Sequence, residues 1–349
     1  MESLTIVVAI LVFGLIVLVH EFGHYIVAKK NGILVEEFAI GMGPKLIGRQ
    51  WGDTLYSIRI LPIGGFCKML GEEEASDDMR SFSSKSVGAR MAVIVAGPLM
   101  NFLLAFLIVW GISAIVGFTT TTIGQIEPGY PAEIAQLQTG DKIISMNGKR
   151  IQIFEKLSFY LAQYKEEQGP VELVIERNRQ RMTFRLNPKW DTELGTWRIG
   201  FASQPMKGNI LQTIQYSFNR MIFLIQATVS GFIQLMTNQV DRSQVAGPVG
   251  IIQVIGETYE TGIQQSFIAA LANVLWLAAL LSANLGALNL FPIPALDGSR
   301  LIFLAVEGIR GKPIDAEKEN MVHFFGLVVL MGFMIYVTYG DIVKLIRPS

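Results

Sequence analysis

Hydrophobic residues in this chain gather in four long, nearly unbroken blocks separated by segments of mixed polarity. The first runs from Leu4 to Ala28 and closes on Lys29 and Lys30, the second from Ala89 to Gly117, the third from Ser266 to Phe291 and the fourth from Val322 to Ile346. At about 1.5 Å per residue, each can cross a hydrocarbon core of roughly 30 Å as a helix. The first block lacks a basic leader and a small-residue cleavage site, so a retained span is expected rather than a removed signal. Gly97-Pro98 inside the second frees a backbone carbonyl that only protein neighbours or internal water can satisfy. That helix should therefore pack against others at this point.

Positive residues orient the four spans. Lys29, Lys30, Lys45, Arg49, Arg59, Lys68, Arg80 and Lys85 lie between the first two, and Arg300, Arg310, Lys312 and Lys318 between the last two. The segments Phe118 to Leu137 and Gly247 to Gln265 carry none. The basic loops are expected inside, which puts the N-terminus and the long insert between spans two and three outside. Lys344 and Arg347, after the fourth span, count against this.

The insert begins as a compact α+β pattern. Turn signals at Thr139-Gly140-Asp141 and Asn147-Gly148, an amphipathic helix near Phe154 to Tyr164, and two alternating strands joined at Asn178 follow one another. This order, with Pro131-Ala132, Leu137, Gly140-Asp141 and Asn147-Gly148 at their spacing, resembles a PDZ domain. From Met221 to Met236 apolar residues dominate but Gln226, Thr228, Ser230 and Gln234 interrupt them, which suits an interfacial helix better than a fifth span. After the first span, alternation at Thr54 to Ile60, Gly-rich turns at Gly41 to Gly43 and Gly64-Gly65, and Trp51 suggest a β-hairpin, either dipping toward the membrane or an ordinary cytoplasmic one; the residues alone do not separate the two, and the membrane-associated form is carried into the expected fold. The expected fold is thus an α-helical polytopic membrane protein with four transmembrane helices, a membrane-associated β-hairpin region and an inserted α+β PDZ-like domain. Its expected divisions are 1–118 (two spans and the re-entrant hairpin loop), 119–205 (PDZ-like), 206–265 (amphipathic linker) and 266–349 (two spans).

Composition agrees: of 349 residues, 51% are hydrophobic and 17% charged, against roughly 45–50% and about 25% in soluble domains. Lys plus Arg and Asp plus Glu balance at 29 each with no basic block, so nucleic acid is excluded as a partner. A single cysteine, Cys67, rules out a disulfide-stapled domain.

The chemistry is concentrated in His20-Glu21-Phe22-Gly23-His24. On a helix, the i, i+4 spacing stacks both imidazoles on one face so that they reach one metal, with Glu21 beside them as the base for a metal-activated water. Three ionisable residues within a span are costly unless they hold something or face water. Zinc needs a third protein ligand. His323 and Asp297 are the candidates, and Asp297 is favoured because Pro292 and Pro294 break the third span just before it and can turn a carboxylate inward.

Together, HEFGH in a first span, Gly97-Pro98-Leu99-Met100-Asn101 in a second, a PDZ-like insert and NLFPIPALDG in a third resemble the site-2 protease family of intramembrane zinc metalloproteases, most closely its bacterial RseP-type branch. The resemblance covers nearly the whole chain. It implies one zinc per chain held by His20, His24 and Asp297, with Glu21 as the catalytic glutamate. It also implies that substrate is held by Asn289 and Asn101 and by a hairpin edge carrying Ser57, Ile58, Arg59 and Ile60. A helical substrate would be unwound and paired against that edge before hydrolysis. The implied location is a bacterial inner membrane, with the active site toward the cytoplasm and the PDZ-like insert outside, filtering access by bulk. Partners are then membrane-spanning protein substrates, of the anti-sigma-factor or remnant signal-peptide type, and lipid; the chain is expected to be a monomer. Some RseP-type enzymes carry two PDZ domains where this chain has room for one, and Ser299-Arg300 follows LDG where a second glycine is common. A non-catalytic PDZ-bearing scaffold is the alternative, and intact Glu21 argues against it. A transporter would show repeated halves, and no internal repeat is seen.

Overall fold

The computed structural model describes residues 2–72, 76–239 and 246–346. The chain divides into two compact units, 1–108 with 224–349, and 109–223.

The first unit is built on helices whose apolar residues run all the way round. Among the described residues, four helical stretches are long and apolar enough to cross a membrane: Leu4–Lys30, Val87–Val116, Phe267–Asn289 and Glu317–Ile346. They belong to α1 (Glu2–Lys30), α2 (Val87–Val116) and, later in the chain, to two helices separated by a break. Glycines let α1 and α2 approach closely: a Cβ on Gly23 would overlap the Ala96 carbonyl, and one on Gly97 would overlap His24. Such small-residue contacts stand in for the hydrophobic drive that helices lack in lipid.

The third apolar block does not run straight to Phe291 as its composition suggests. Helix α3 (Phe267–Asn289) starts at Ser266, whose hydroxyl accepts from the Ala269 amide at 3.1 Å, and stops at Asn289. Pro292 and Pro294 cannot continue it, and Ala295 sits in the left-handed region at φ 75° before helix α4 (Asp297–Arg310) begins. The last helix, α5 (Ala316–Ile346), begins six residues before the apolar block does, because Asp315 caps it by accepting from the Glu317 amide at 3.1 Å. It packs on the proline turn through Gly326, where any Cβ would strike Pro294. Farther along, Asp341, 4% exposed, accepts from the Gly247 and Gly250 amides at 3.2 and 2.8 Å, capping a 16-residue helix α6 (Pro248–Ile263). Arg347, counted above for orientation, lies outside the described residues.

The expected hairpin is present but folded on itself. Strands β1 (Val35–Trp51) and β2 (Thr54–Met69) each bend, Gly41 and Gly64 supplying positive φ at the bends. Residues 35–40 therefore pair with 65–69 on one side and with 55–58 on the other, and 47–51 close the far side of 54–58. Four short strands result, in the order 65–69, 35–40, 54–58, 47–51, with the two outer pairings antiparallel and the central pairing of 35–40 with 54–58 parallel in register. Leu55 to Ile58 consequently has neighbours on both sides and is not an edge. Ser57 Oγ and Arg59 Nη2 both donate to Glu37 Oε1, at 2.5 and 2.7 Å, and Arg59 Nη1 donates to the Gly43 carbonyl. Burial alone would raise the Glu37 carboxyl, but the Ser57 and Arg59 hydrogen bonds outweigh it and hold it below the usual range. Met42, Leu46, Ile47, Trp51, Ile60 and Leu61 are all exposed on this sheet.

The second unit is α+β. Strands β3 (Phe118–Ile126), β4 (Lys142–Met146), β5 (Lys149–Arg150), β6 (Val171–Arg177), β7 (Gln180–Leu186) and β10 (Phe201–Met206) form one sheet in the order β10-β3-β4-β6-β7, with β5 paired to β4. Two short strands, β8 (Lys189–Asp191) and β9 (Thr196–Arg198), form a separate ribbon. The β4–β5 turn carries Asn147 at φ 49° and Gly148 at φ 74°, and the β6–β7 turn has Asn178 and Arg179 at φ 53° and 65°, the paired positive φ of tight hairpins. Helix α7 (Phe154–Ala162) lays Leu157 and Leu161 on a core of Ile123, Ile143, Leu173 and Ile175. Asp141, 1% exposed, is clamped by Arg177 Nε and Nη2, both at 2.7 Å, and accepts from the Gln138 amide. Burial would raise its carboxyl; the Arg177 fork and the Gln138 amide overcome this and keep it below the usual carboxylate range. Helix α8 (Ile210–Met236) follows and is not among the helices apolar enough to span.

Candidate metal centre

Three parts of the first unit meet at the HEFGH turn of α1. His20 and His24 are 6% and 7% exposed, with ring centroids 4.8 Å apart in an edge-to-face arrangement. The proline break ends by delivering Asp297, the first residue of α4, to the same point. Asp297 Oδ2 lies 3.2 Å from His20 Nε2 and 3.4 Å from His24 Nε2, and the two Nε2 atoms are 3.2 Å apart. Helix α2 supplies the back wall, with Gly97 leaving room for both imidazoles.

This donor set fits a zinc ion. Ligands about 2.0–2.1 Å from a tetrahedral zinc stand about 3.3 Å from one another, and all three pairs match that spacing. His24 Nδ1 is 2.9 Å from the Val93 carbonyl, so it donates there and leaves a bare lone pair on Nε2 facing Asp297. Asp297 Oδ2 is buried without a hydrogen bond of good geometry, an expensive arrangement for a carboxylate unless a cation neutralises it. Among the described residues, His20, His24 and Asp297 are the group of metal-ligating side chains so placed.

A cavity of about 490 Å³ opens on these residues, lined also by Glu21, Phe66, Cys67 and Met69. Glu21 therefore faces the same space as the two histidines, as the HExxH spacing requires. His323 borders the cavity but does not join the ligands: its Nδ1 accepts the Ala295 amide proton at 3.2 Å, which pins the left-handed turn ahead of Asp297. Asn289, the last residue of α3, brings its amide to 3.5 Å from His20 Nε2. Asn101, expected to hold substrate, lies on α2. It has no exposed surface and sits behind His20, its Nδ2 3.1 Å from His20 Nδ1. Ser57 and Arg59 are engaged by Glu37, and Ile58 belongs to an interior strand, so the expected hairpin edge is displaced. The run nearest Glu21 is 65–69, where Gly65 lies beside the Glu21 side chain and strand pairing occupies one side.

The sequence profile of peptidase family M50 matches residues 8–333, nearly the whole chain. The chain belongs to peptidase family M50. Its relatives agree along their full lengths. A Clostridium acetobutylicum protein, provisionally named a zinc metalloprotease, is 37% identical over 98% of both chains. The zinc metalloprotease RasP of Geobacillus kaustophilus is 32% identical over 97% of this chain and 98% of its own. The regulator of sigma-W protease RasP of Bacillus subtilis is 30% identical over 98% and 99%. Among solved structures, 25% of this chain is similar to 90% of a PDZ domain from Listeria monocytogenes, at 18% identity and a TM-score of 0.22, too slight a likeness to define a fold. As an M50 peptidase the chain is an intramembrane zinc metalloprotease of the site-2 protease family, which is what the HEFGH, GPLMN and NLFPIPALDG segments led us to expect.

Sequence reasoning missed three parts of this M50 site. The Val93 carbonyl has no side-chain signature. Gly97 was legible as a kink partner for Pro98, not as space for imidazoles. The 65–69 run had a signal in Gly64-Gly65, which a register argument could have used.

Proposed function

We propose that this protein is an endopeptidase that cuts the transmembrane segments of other membrane proteins, with one zinc per chain held by His20, His24 and Asp297. The observation that carries the reading is the convergence of two imidazole nitrogens and one carboxylate oxygen at tetrahedral spacing, on a cavity shared with Glu21. When bound, zinc supplies Lewis acidity and a water acidic enough to lose a proton near neutral pH. Glu21 takes a proton from the attacking water as the new C–O bond forms at the peptide carbonyl. It then returns that proton to the leaving amide nitrogen as the C–N bond breaks. Asn289, whose amide lies 3.5 Å from His20 Nε2, holds the substrate carbonyl by donating from that amide.

A helical substrate hides its carbonyls in i→i−4 bonds and must be opened before attack. The run 65–69, paired on one side only and lining the cavity through Phe66, Cys67 and Met69, offers backbone partners to an extended segment. The exposed apolar residues of the sheet rest in the membrane interface, with the active site toward the cytoplasm and the α+β unit outside, as the basic loops favour. That unit acts as a PDZ-like filter of substrate bulk, and the protein works as a monomer in a bacterial inner membrane on anti-sigma-factor or remnant signal-peptide substrates.

The test is zinc content and single-turnover cleavage of a membrane-spanning substrate in detergent. Wild type should hold about one zinc and cut; Glu21→Gln should keep the metal and lose cleavage by at least a hundredfold; Asp297→Ala should lose the metal. Cleavage by Glu21→Gln at the wild-type rate would refute the assignment of the base, and full zinc content in Asp297→Ala would refute the ligand set.

A further inference from the structure

The two histidines present Nε2 to the metal site, which requires each to carry its proton on Nδ1. For His24 the requirement is met by a fixed acceptor, the Val93 carbonyl. Among the described residues His20 has no backbone acceptor of this kind; the group at its Nδ1 is the side-chain amide of Asn101, 3.1 Å away. Asn101 is fully buried, and its backbone carbonyl is tied to α3 by the Ser282 hydroxyl at 2.8 Å. Its Oδ1 is buried without a hydrogen-bond partner among the described residues. A half-turn of the amide about χ2 exchanges Oδ1 and Nδ2 with almost no change of shape.

The two amide orientations have opposite consequences for His20. With Nδ2 donating to Nδ1, the imidazole proton must reside on Nε2, where it points into the site and blocks a ligand bond. With Oδ1 accepting from Nδ1–H, Nε2 is bare, and the unpaired Oδ1 gains the partner it lacks. We propose that Asn101 is a positioning residue that sets the tautomer of His20, accepting its Nδ1 proton so that Nε2 is free to bind the metal. This rests on the metal-centre reading above and assigns to the GPLMN segment of α2 a role in metal retention rather than in substrate binding. Residues that orient a ligand in this way change metal affinity by roughly 10–100-fold when removed.

The experiment measures zinc affinity of the full-length protein in detergent by competition with a chelator, for wild type, Asn101→Leu and Asn101→Asp. It is paired with 15N NMR of the histidine ring nitrogens in the zinc-loaded protein. Leucine preserves the volume and removes the acceptor; aspartate preserves the acceptor and cannot turn a donor toward Nδ1. The expected result is zinc binding about 10–100-fold weaker in Asn101→Leu, within about threefold of wild type in Asn101→Asp, and a protonated His20 Nδ1 in wild type. A role in packing alone predicts the reverse order, since leucine suits a buried site better than a carboxylate. Unchanged affinity in Asn101→Leu, or weaker binding in Asn101→Asp than in Asn101→Leu, overturns the proposal. Should Asn101→Leu fail to fold, a bare His20 Nδ1 in zinc-loaded wild type overturns it just as well. Wild-type protein that takes up no zinc would refute the metal-centre reading and this assignment together, whereas zinc-binding wild type with an indifferent Asn101→Leu refutes only the latter.

Discussion

Gly97→Ala should empty the metal site without replacing a ligand. A Cβ on Gly97 would overlap His24 Nε2 and stand 2.7 Å from His24 Cε1 and 2.9 Å from His20 Cε1. Ordinary contact needs about 3.4 Å or more, so the His20 ring must retreat by about 0.5 Å and the His24 ring by about 1 Å, or the two helices must part by a similar amount. Parting would break the close contact one residue away, where Gly23 brings α1 against the Ala96 backbone. Metal–ligand bonds tolerate errors of about 0.2 Å, so neither imidazole keeps its place. We expect zinc affinity to fall at least a hundredfold, about 2.7 kcal/mol or more. Chelator competition on the purified protein reads this, with Gly111→Ala on the same helix as control, because a Cβ there meets nothing within 4 Å. Zinc binding by Gly97→Ala within threefold of wild type would refute the close packing of α2 behind the two histidines.

Other outcomes follow from individual contacts. Replacing Arg177 by alanine leaves Asp141 buried and unpaired and should destabilise the α+β unit by about 2 kcal/mol at neutral pH, read from Trp190 and Trp197 fluorescence during denaturation. Because the folded Asp141 carboxyl lies below its unfolded value of about 3.9, that stabilisation is complete above about pH 4–5 and is lost as pH falls through the folded value; the gap between wild type and Arg177→Ala should therefore narrow in acid, and a constant gap would exclude the ion pair as its source. Asp341→Ala removes the acceptor for the Gly247 and Gly250 amides and should lower stability of the first unit by about 1–3 kcal/mol, with faster hydrogen exchange confined to the start of α6. Glu37→Ala frees Ser57 and Arg59 together and should accelerate exchange across the four-stranded sheet while leaving zinc content unchanged; loss of zinc instead would tie the sheet to the metal centre.

Local periodicity and local chemistry made much of this protein readable from its residues. Uninterrupted apolar runs announce the helices that are apolar enough to span, because a helix surrounded by lipid has no polar face to display. The i, i+4 pair His20 and His24 is fixed by helix geometry alone, and Asn147-Gly148 and Asn178 mark their turns because few other residues accept positive φ. The prolines at 292 and 294 announced the end of α3 but not its residue; Asn289 is the last helical position because the break reaches back ahead of the first proline.

What the tertiary structure decided are the relations between distant segments, which leave no periodic trace. Asp297 could be preferred over His323 on chemical grounds, but only packing brings its Oδ2 within 3.4 Å of two nitrogens some 275 positions earlier and occupies His323 with the Ala295 amide. Alternation in Thr54 to Ile60 correctly signalled a strand, yet it reads the same at an edge and in an interior. The bends at Gly41 and Gly64 decide that 55–58 is enclosed and 65–69 is left beside Glu21. Asn101 looked like a residue for substrate because a polar side chain in a span suggests function, and only the packing of α2 on α1 buries it behind His20, 3.1 Å from that ring's Nδ1. Side-chain chemistry names what a residue is able to do; the packing of one helix against another selects which partner it does it with.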